Sequence, residues 1–309
     1  MRILNINKNS KQSRKKYFLS FEGVKTEVQY FQGIINNKEF LNIRDDIEII
    51  LLLRNHSYLG WSNPLKVFNR TKFCIDNLSR NERNVSSLIS SIVEYSFYNS
   101  PLLSKREDAS LLYDELIYHM DILFNLKKED NINFNDHIAY DLSSFISHFI
   151  KNRFSLNEID TFINNQFTPF NPNKDKVCLI VDRDKRSVTD KQYELLVNKC
   201  FNNKYELFVS NPCFEFWLLL HFNEVFDIDR EILTDNPKIE MENDSINFTE
   251  YQLKKILPNF EKNNICFNDL IRKIPMAIKN ENKFTQDITQ LKSYLGSNVG
   301  LLVKELIKD

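Results

Sequence analysis

The chain has 309 residues, 42% of them apolar and 27% charged, and its net charge is −1. Such values fit a globular chain with a sizeable core, in one large domain or two modest ones, and exclude a disordered chain or a globally basic nucleic-acid binder. Five scattered cysteines without Cys-x-x-Cys argue for a reducing cytoplasm over a disulfide or zinc scaffold; five glycines leave no Gly-rich phosphate loop; no apolar run reaches the length of a membrane span or a signal peptide.

In chain order, residues 1–15 are polar and basic and read as a loose arm. Tyr17–Phe21 reads as a strand ending at Glu22-Gly23, where the glycine permits a sharp turn. Thr26 and Glu27 open a helix whose apolar stripe is Tyr30, Phe31, Ile34 and Ile35. Ile47–Leu53 is a second strand, and Asn63-Pro64 opens a helix to about Leu78. From about Arg80 to Asn173 apolar residues fall only at helical spacing, which predicts an all-helical insertion of three or four helices closing at Pro169-Phe-Asn-Pro172. The aromatic side chains of this insertion (Tyr95, Phe97, Tyr98, Tyr113, Tyr118, Phe124) read best as internal packing.

Val177-Cys-Leu-Ile-Val-Asp-Arg-Asp184 then carries a strand buried on both faces and two acids, Asp182 and Asp184, directly behind it. A helix capped by Thr189 or Asp190 follows, then a strand Tyr205–Val209 that ends at Ser210-Asn211. Pro212 starts a helix, Cys213–Phe222, apolar on nearly every side and therefore buried. Glu215 inside it needs a cation, a partner or a site, since an unpaired buried carboxylate costs several kcal/mol. An acidic connector (Asp227–Asp244) and three helices, about 249–260, 267–283 and 287–308, complete the expectation.

The fold class is thus α/β, a mainly parallel sheet flanked by helices, in three parts: 1–79, the helical insertion 80–175, and 176–309. In such a sheet, acids past the carboxyl ends of strands converge where ligands bind. Asp182 and Asp184 are placed to hold a hard cation such as Mg²⁺; Glu22 either completes its shell or acts as general base. Lys25 is placed to meet a phosphate. Glu27 has two readings, catalytic or merely favouring its helix N-terminus; Glu215 divides between the site and a buried ion pair, and Ser210 and Asn211 between phosphate contact and helix capping. His221 and Trp217 read as core, and Arg183, between the acids, as structural.

An acid after the first strand and Asp-x-Asp after the third resemble the Toprim domain of topoisomerases, primases and OLD-family nucleases. More narrowly, Phe21-Glu-Gly-Val-Lys-Thr-Glu27, Val181-Asp-Arg-Asp184 and Ser210-Asn-Pro-Cys-Phe-Glu-Phe-Trp-Leu-Leu-Leu-His-Phe222 resemble the RloB-like family, which includes the abortive-infection protein AbiLii. Ala277-Ile-Lys and Ser297-Asn-Val-Gly-Leu-Leu-Val303 add weaker signatures. Val28 stands where that family tends to have proline, and the resemblance does not reach the insertion. It implies a Mg²⁺-dependent (or Mn²⁺-dependent) nuclease effector of antiphage defence, cutting RNA or DNA, with tRNA a plausible target. It also implies an ABC-like or OLD-like ATPase partner encoded nearby, and neither a membrane nor a fixed oligomeric state. The competing expectation is a non-catalytic adaptor of the same shape that docks a partner protein through the insertion.

Overall fold

The computed structural model describes residues 14–23, 25–52, 63–80, 84–99, 106–132, 136–149, 168–240, 245–262 and 265–308. The expected arm lies almost wholly outside these. Strand β1 (Lys15–Phe21) leads into α1 (Thr26–Asn36) and β2 (Ile47–Leu52); α2 (Pro64–Arg80) follows. Among the described residues of the insertion are helices α3 (Val85–Asn99), α4 (Arg106–Phe124) and α5 (Asp136–Phe149). The chain then returns as β3 (Lys176–Asp182), α6 (Asp190–Asn202), β4 (Glu206–Asn211) and α7 (Phe214–Leu219). The acidic connector is structured: a 3-10 turn at Asn223–Asp227, α8 (Arg230–Asp235), and a hairpin of β5 (Lys238–Glu240) with β6 (Ser245–Asn247). Last come α9 (Phe248–Ile256), α10 (Asn268–Ile271), α11 (Ile274–Glu281), β7 (Gly296–Ser297) and α12 (Val299–Leu306).

The main sheet runs β2-β1-β3-β4-β7, parallel except for β7. Strand side chains alternate, so each face builds its own core. Tyr17, Leu19, Phe21, Cys178 and Ile180 pack with α1, α7 and the C-terminal helices. Phe18, Val177, Leu179 and Val181 pack with Val67 and Phe68 of α2 and Tyr193 and Leu196 of α6. The insertion has a separate core of Leu88, Ile92, Leu112, Leu116, Leu142 and Ile146. Of its aromatic residues, Tyr113 and Phe124 pack there as expected, and the Tyr113 hydroxyl meets Ser86 at 2.9 Å. Tyr118 is exposed, and the side chains of Tyr95, Phe97 and Tyr98 lie outside the described residues.

The expected helix 287–308 does not form as such. Residues 287–295 are turns, and helix begins only at Val299. Two buried side chains draw the carbonyls of this segment away from a helical ladder. Arg183 Nε donates to Lys292 at 3.1 Å, and Asn211 Nδ2 donates to Leu291 and Tyr294 at 2.8 and 2.9 Å. Gly296 completes the break, since a Cβ there would stand 2.1 Å from the Thr285 carbonyl oxygen. Helix 267–283 is likewise split, with Pro275 in the first turn of α11. At the outer edge of β4, Asn298 imitates a strand: its Oδ1 accepts from Val209 N–H at 2.6 Å and its Nδ2 donates to the Leu207 carbonyl at 3.2 Å.

Candidate functional site

The sheet order has a switch point between β1 and β3: the chain leaves β1 toward β2 on one side and returns to β3 on the other. A crevice at the carboxyl ends of such a strand pair is where open α/β sheets bind ligands. Phe21 pairs with Ile180, and Glu22 N–H donates to the Ile180 carbonyl at 3.0 Å, so Glu22 and Asp182 emerge side by side although 160 residues apart. The Glu22 carboxylate accepts from Asp182 N–H at 3.0 Å, and Asp182 Oδ1 accepts from Phe214 N–H at 2.9 Å, at the start of α7.

Two further acids complete the group. Glu27, in the first turn of α1, is buried and accepts from Gly23 N–H at 2.9 Å. A Cβ on Gly23 would fall 2.0 Å from Glu27 Oε2, so the turn after β1 closes directly over this carboxylate. Glu215 of α7 is buried and pairs with Lys262 Nζ at 2.9 Å. The mutual repulsion is felt in their protonation. Burial first, then the charges of Glu27, Glu22 and Glu215, hold Asp182 well above the ordinary carboxylate range. Burial, with Glu215 adding to it, also raises Glu27. Burial pushes Glu215 up too, but the Lys262 charge and hydrogen bonds from Lys262 and Cys213 outweigh it, and the net direction is down. Four carboxylates therefore crowd the switch point, with the Lys262 ammonium paired to Glu215.

Asp184 engages a turn of its own. Its Oδ1 accepts from Arg186 N–H at 2.9 Å, its carbonyl accepts from the N–H groups of Ser187 and Val188, and it lines a cleft with Lys185, Pro212 and Asn236. Lys25 is exposed at the start of α1, where its carbonyl accepts from Gln29 N–H. Ser210 and Asn211 are fully buried. Ser210 Oγ meets Ser297 Oγ at 3.2 Å, and both Asn211 donors hold the 291–294 turn. The structure gives these two a structural position rather than a place at a substrate, and Cys213, not either of them, precedes α7.

Arg183 is structural, as expected: buried, it bonds the Val188 carbonyl at 2.6 Å and Asp190 at 2.5 Å. His221 is a satisfied core histidine. Its Nδ1 donates to the Trp217 carbonyl, so Nε2 accepts from the Tyr30 hydroxyl, each at 3.1 Å; burial keeps its pKa down to about 4.

Lys262 was missed in the sequence because nothing in its spacing ties it to Glu215. Arg70 was missed too, yet left a signal: with Thr71 it falls on the same face as Val67, at i+3 and i+4, so a basic and a polar residue occupy core-facing positions. Arg70 donates to the Phe21 carbonyl at 3.0 Å, bracing β1 next to Glu22. Substituting Lys262→Met strips Glu215 of its partner. Because the Lys262 side chain is itself 48% exposed, solvent screens the pair, and the expected loss is about 2 kcal/mol rather than the 3–5 of a fully buried bridge. Urea unfolding at neutral pH measures it; an unchanged midpoint would show that Glu215 does not depend on this ammonium.

Fold and site define a mostly parallel α/β protein with a carboxylate cluster at its switch point. Residues 156–306 match the model of the RloB-like protein family. No curated protein and no solved structure matches the chain. The matched segment holds Asp182, Asp184, Glu215 and Lys262; Glu22 and Glu27 lie outside it. Among the described residues no helix is long and apolar enough to cross a membrane.

Proposed function

We propose that this chain is a Mg²⁺-dependent, Toprim-like nuclease effector of antiphage defence that works with an ATPase partner. The observation that carries the reading is the carboxylate cluster at the β1/β3 switch point, where Asp182 is held well above the ordinary carboxylate range by burial and by Glu27, Glu22 and Glu215. The donor set fits a hard divalent cation: all are carboxylate oxygens, and negative charge is in excess. Among the described residues no three acids, histidines or cysteines stand ready-made as a metal cage. Mg²⁺ does not need one, because it keeps several waters and binds through one or two carboxylates plus substrate phosphate. Glu22 and Asp182 would hold it, with Asp184 next along the chain. When bound, the ion would supply charge stabilisation to the phosphate under attack.

The chain's own groups divide the remaining work. Glu27, whose proton affinity burial raises, or else Glu22, takes a proton from the attacking water as the new P–O bond forms and the bond to the leaving oxygen breaks. Phe214 N–H and Asp182 N–H fix the orientations of Asp182 and Glu22, so neither has to reorganise. Lys262 balances Glu215, and Lys25 is free to approach the substrate from solvent. The test is to induce the full chain together with its neighbouring ATPase and sequence new RNA and DNA ends. Discrete new ends that vanish on Mg²⁺ depletion are expected; no new ends in either pool would overturn the nuclease reading. A second reading, an adaptor, draws on Leu111, Tyr118 and Ile122, exposed along one face of α4 in the insertion. It would bring partner capture without cleavage.

A further inference from the structure

Just past the carboxyl ends of β3 and β4, a cleft of about 380 Å³ is lined by Asp184 and Pro212 and shares Thr234 and Asp235 with a second cleft of about 720 Å³. The two clefts thus adjoin at Thr234 and Asp235, and the groove they form starts at the carboxyl ends of β3 and β4. Its walls carry four cations: Lys185 and Arg186 near the cluster, Arg230 and Lys283 at the far end. Among the described residues none of the four forms an ion pair with a carboxylate. Lys185 Nζ donates to the Ser293 carbonyl and Arg186 to the Asp235 carbonyl, which fixes each stem while leaving its charge unneutralised. Arg230 lies over the Phe284 ring, 4.7 Å from its centroid, and Phe226 stacks on the same ring at 5.9 Å. Tyr294 lines the groove with 65% of its surface exposed, on the very turn that Arg183 and Asn211 pin to the strand ends.

Cations spaced along a groove with a rigidly mounted, open aromatic face match the chemistry of a single strand, whose phosphates are paired by the cations and whose bases stack. Asp184, Glu231 and Asp235 share the walls. A free anion or an acidic peptide would find little net attraction here, whereas a strand gains from stacking as well as charge. We propose that this groove is a track for single-stranded nucleic acid, with Lys185, Arg186, Arg230 and Lys283 on successive phosphates and Tyr294 stacked on a base, leading the strand to the carboxylate cluster. The proposal deepens the nuclease reading and rests on it for the direction of the track. The volume of the larger cleft falls within the roughly 300–1,000 Å³ typical of sites for nucleotide-sized ligands.

The test is fluorescence anisotropy with the full-length protein in EDTA, so that binding is read without cleavage, using labelled 20-nucleotide single-stranded RNA, single-stranded DNA and duplex. Single strands of either sugar should bind at least tenfold tighter than duplex, with log K falling against log salt at a slope of about −3 for four phosphate contacts. Tyr294→Ala should weaken binding about tenfold. Arg230→Glu with Lys283→Glu should weaken it further and flatten the slope, as should Lys185→Glu with Arg186→Glu at the near end. No binding by the wild-type protein, equal affinity for duplex, or wild-type affinity in all three variants would overturn the track. The two readings fail separately. Groove variants that bind normally while Asp182→Asn loses cleavage sink the track alone; groove-dependent binding with cleavage intact in Asp182→Asn sinks the carboxylate chemistry alone.

Discussion

Asp182→Asn should abolish Mg²⁺-dependent cleavage and, in the same molecule, make the fold more stable. The loss follows if Asp182 holds the cation at the phosphate: removing that charge should lower the rate at least about a thousandfold, roughly 4 kcal/mol of barrier. The gain follows from electrostatics already present in the metal-free chain. Burial and the charges of Glu27, Glu22 and Glu215 make ionisation of Asp182 costly in the fold, and an amide of the same shape keeps the Phe214 N–H bond while removing that cost. A rise of about 1 kcal/mol, or a few degrees in Tm, is the expected scale. The comparison is made in EDTA for stability and in Mg²⁺ for cleavage. Retained cleavage would remove Asp182 from the chemistry, and a lowered Tm would show that its charge is satisfied by a partner other than the proposed ion.

The second large effect concerns Glu281, which is fully buried at the end of α11. It accepts from Gly300 N–H at 2.8 Å, at the start of α12, and from Gln286 at 2.7 Å. Gly300 has no room for a side chain, since a Cβ would stand 2.4 Å from Glu281 Oε2. Burial raises the Glu281 pKa from 4.5 to about 7, against hydrogen bonds that pull it down. Because the folded value lies above the unfolded one, the fold favours the protonated acid. Its contribution is complete below about 4.5, declines as pH rises, and is gone above about 7. The difference corresponds to about 3 kcal/mol. Wild-type protein should therefore lose several degrees of Tm between pH 4.5 and 7.5 relative to Glu281→Gln, whose amide cannot ionise. The raised acids Asp182 and Glu27 act in the same direction in both proteins, so the difference between the two curves isolates Glu281. Parallel curves would mean that its carboxylate is ionised without cost.

Much of this architecture was legible in the residues. β1 to β4 announced themselves as runs of β-branched and apolar residues, and the insertion as helical spacing uninterrupted by a strand. The expectation that β1 and β3 bring their acids together was also written there, because an acid at the end of each of two buried strands can be read without knowing their pairing. What could not be read was long-range. Glu215 and Lys262 meet across 47 residues of sequence that encode no such contact. The 287–308 segment has helical composition and fails to form one helix because Arg183 and Asn211, distant in sequence, claim its carbonyls. Asp182-x-Asp184 looked like one unit, yet the backbone turns between them, so Asp182 faces the other acids while Asp184 joins a turn beside the groove.

The Asn298 side chain has a consequence for the chain's life in a crowded cell. Parallel sheets end in edges whose unpaired N–H and C=O groups invite strands from other molecules. Here β7 supplies only two residues of cover, and the amide of Asn298 occupies the next pair of positions on β4. A single planar group thus occupies the Val209 and Leu207 positions that an intruding strand would need on this rim, with less backbone than a longer β7 would require.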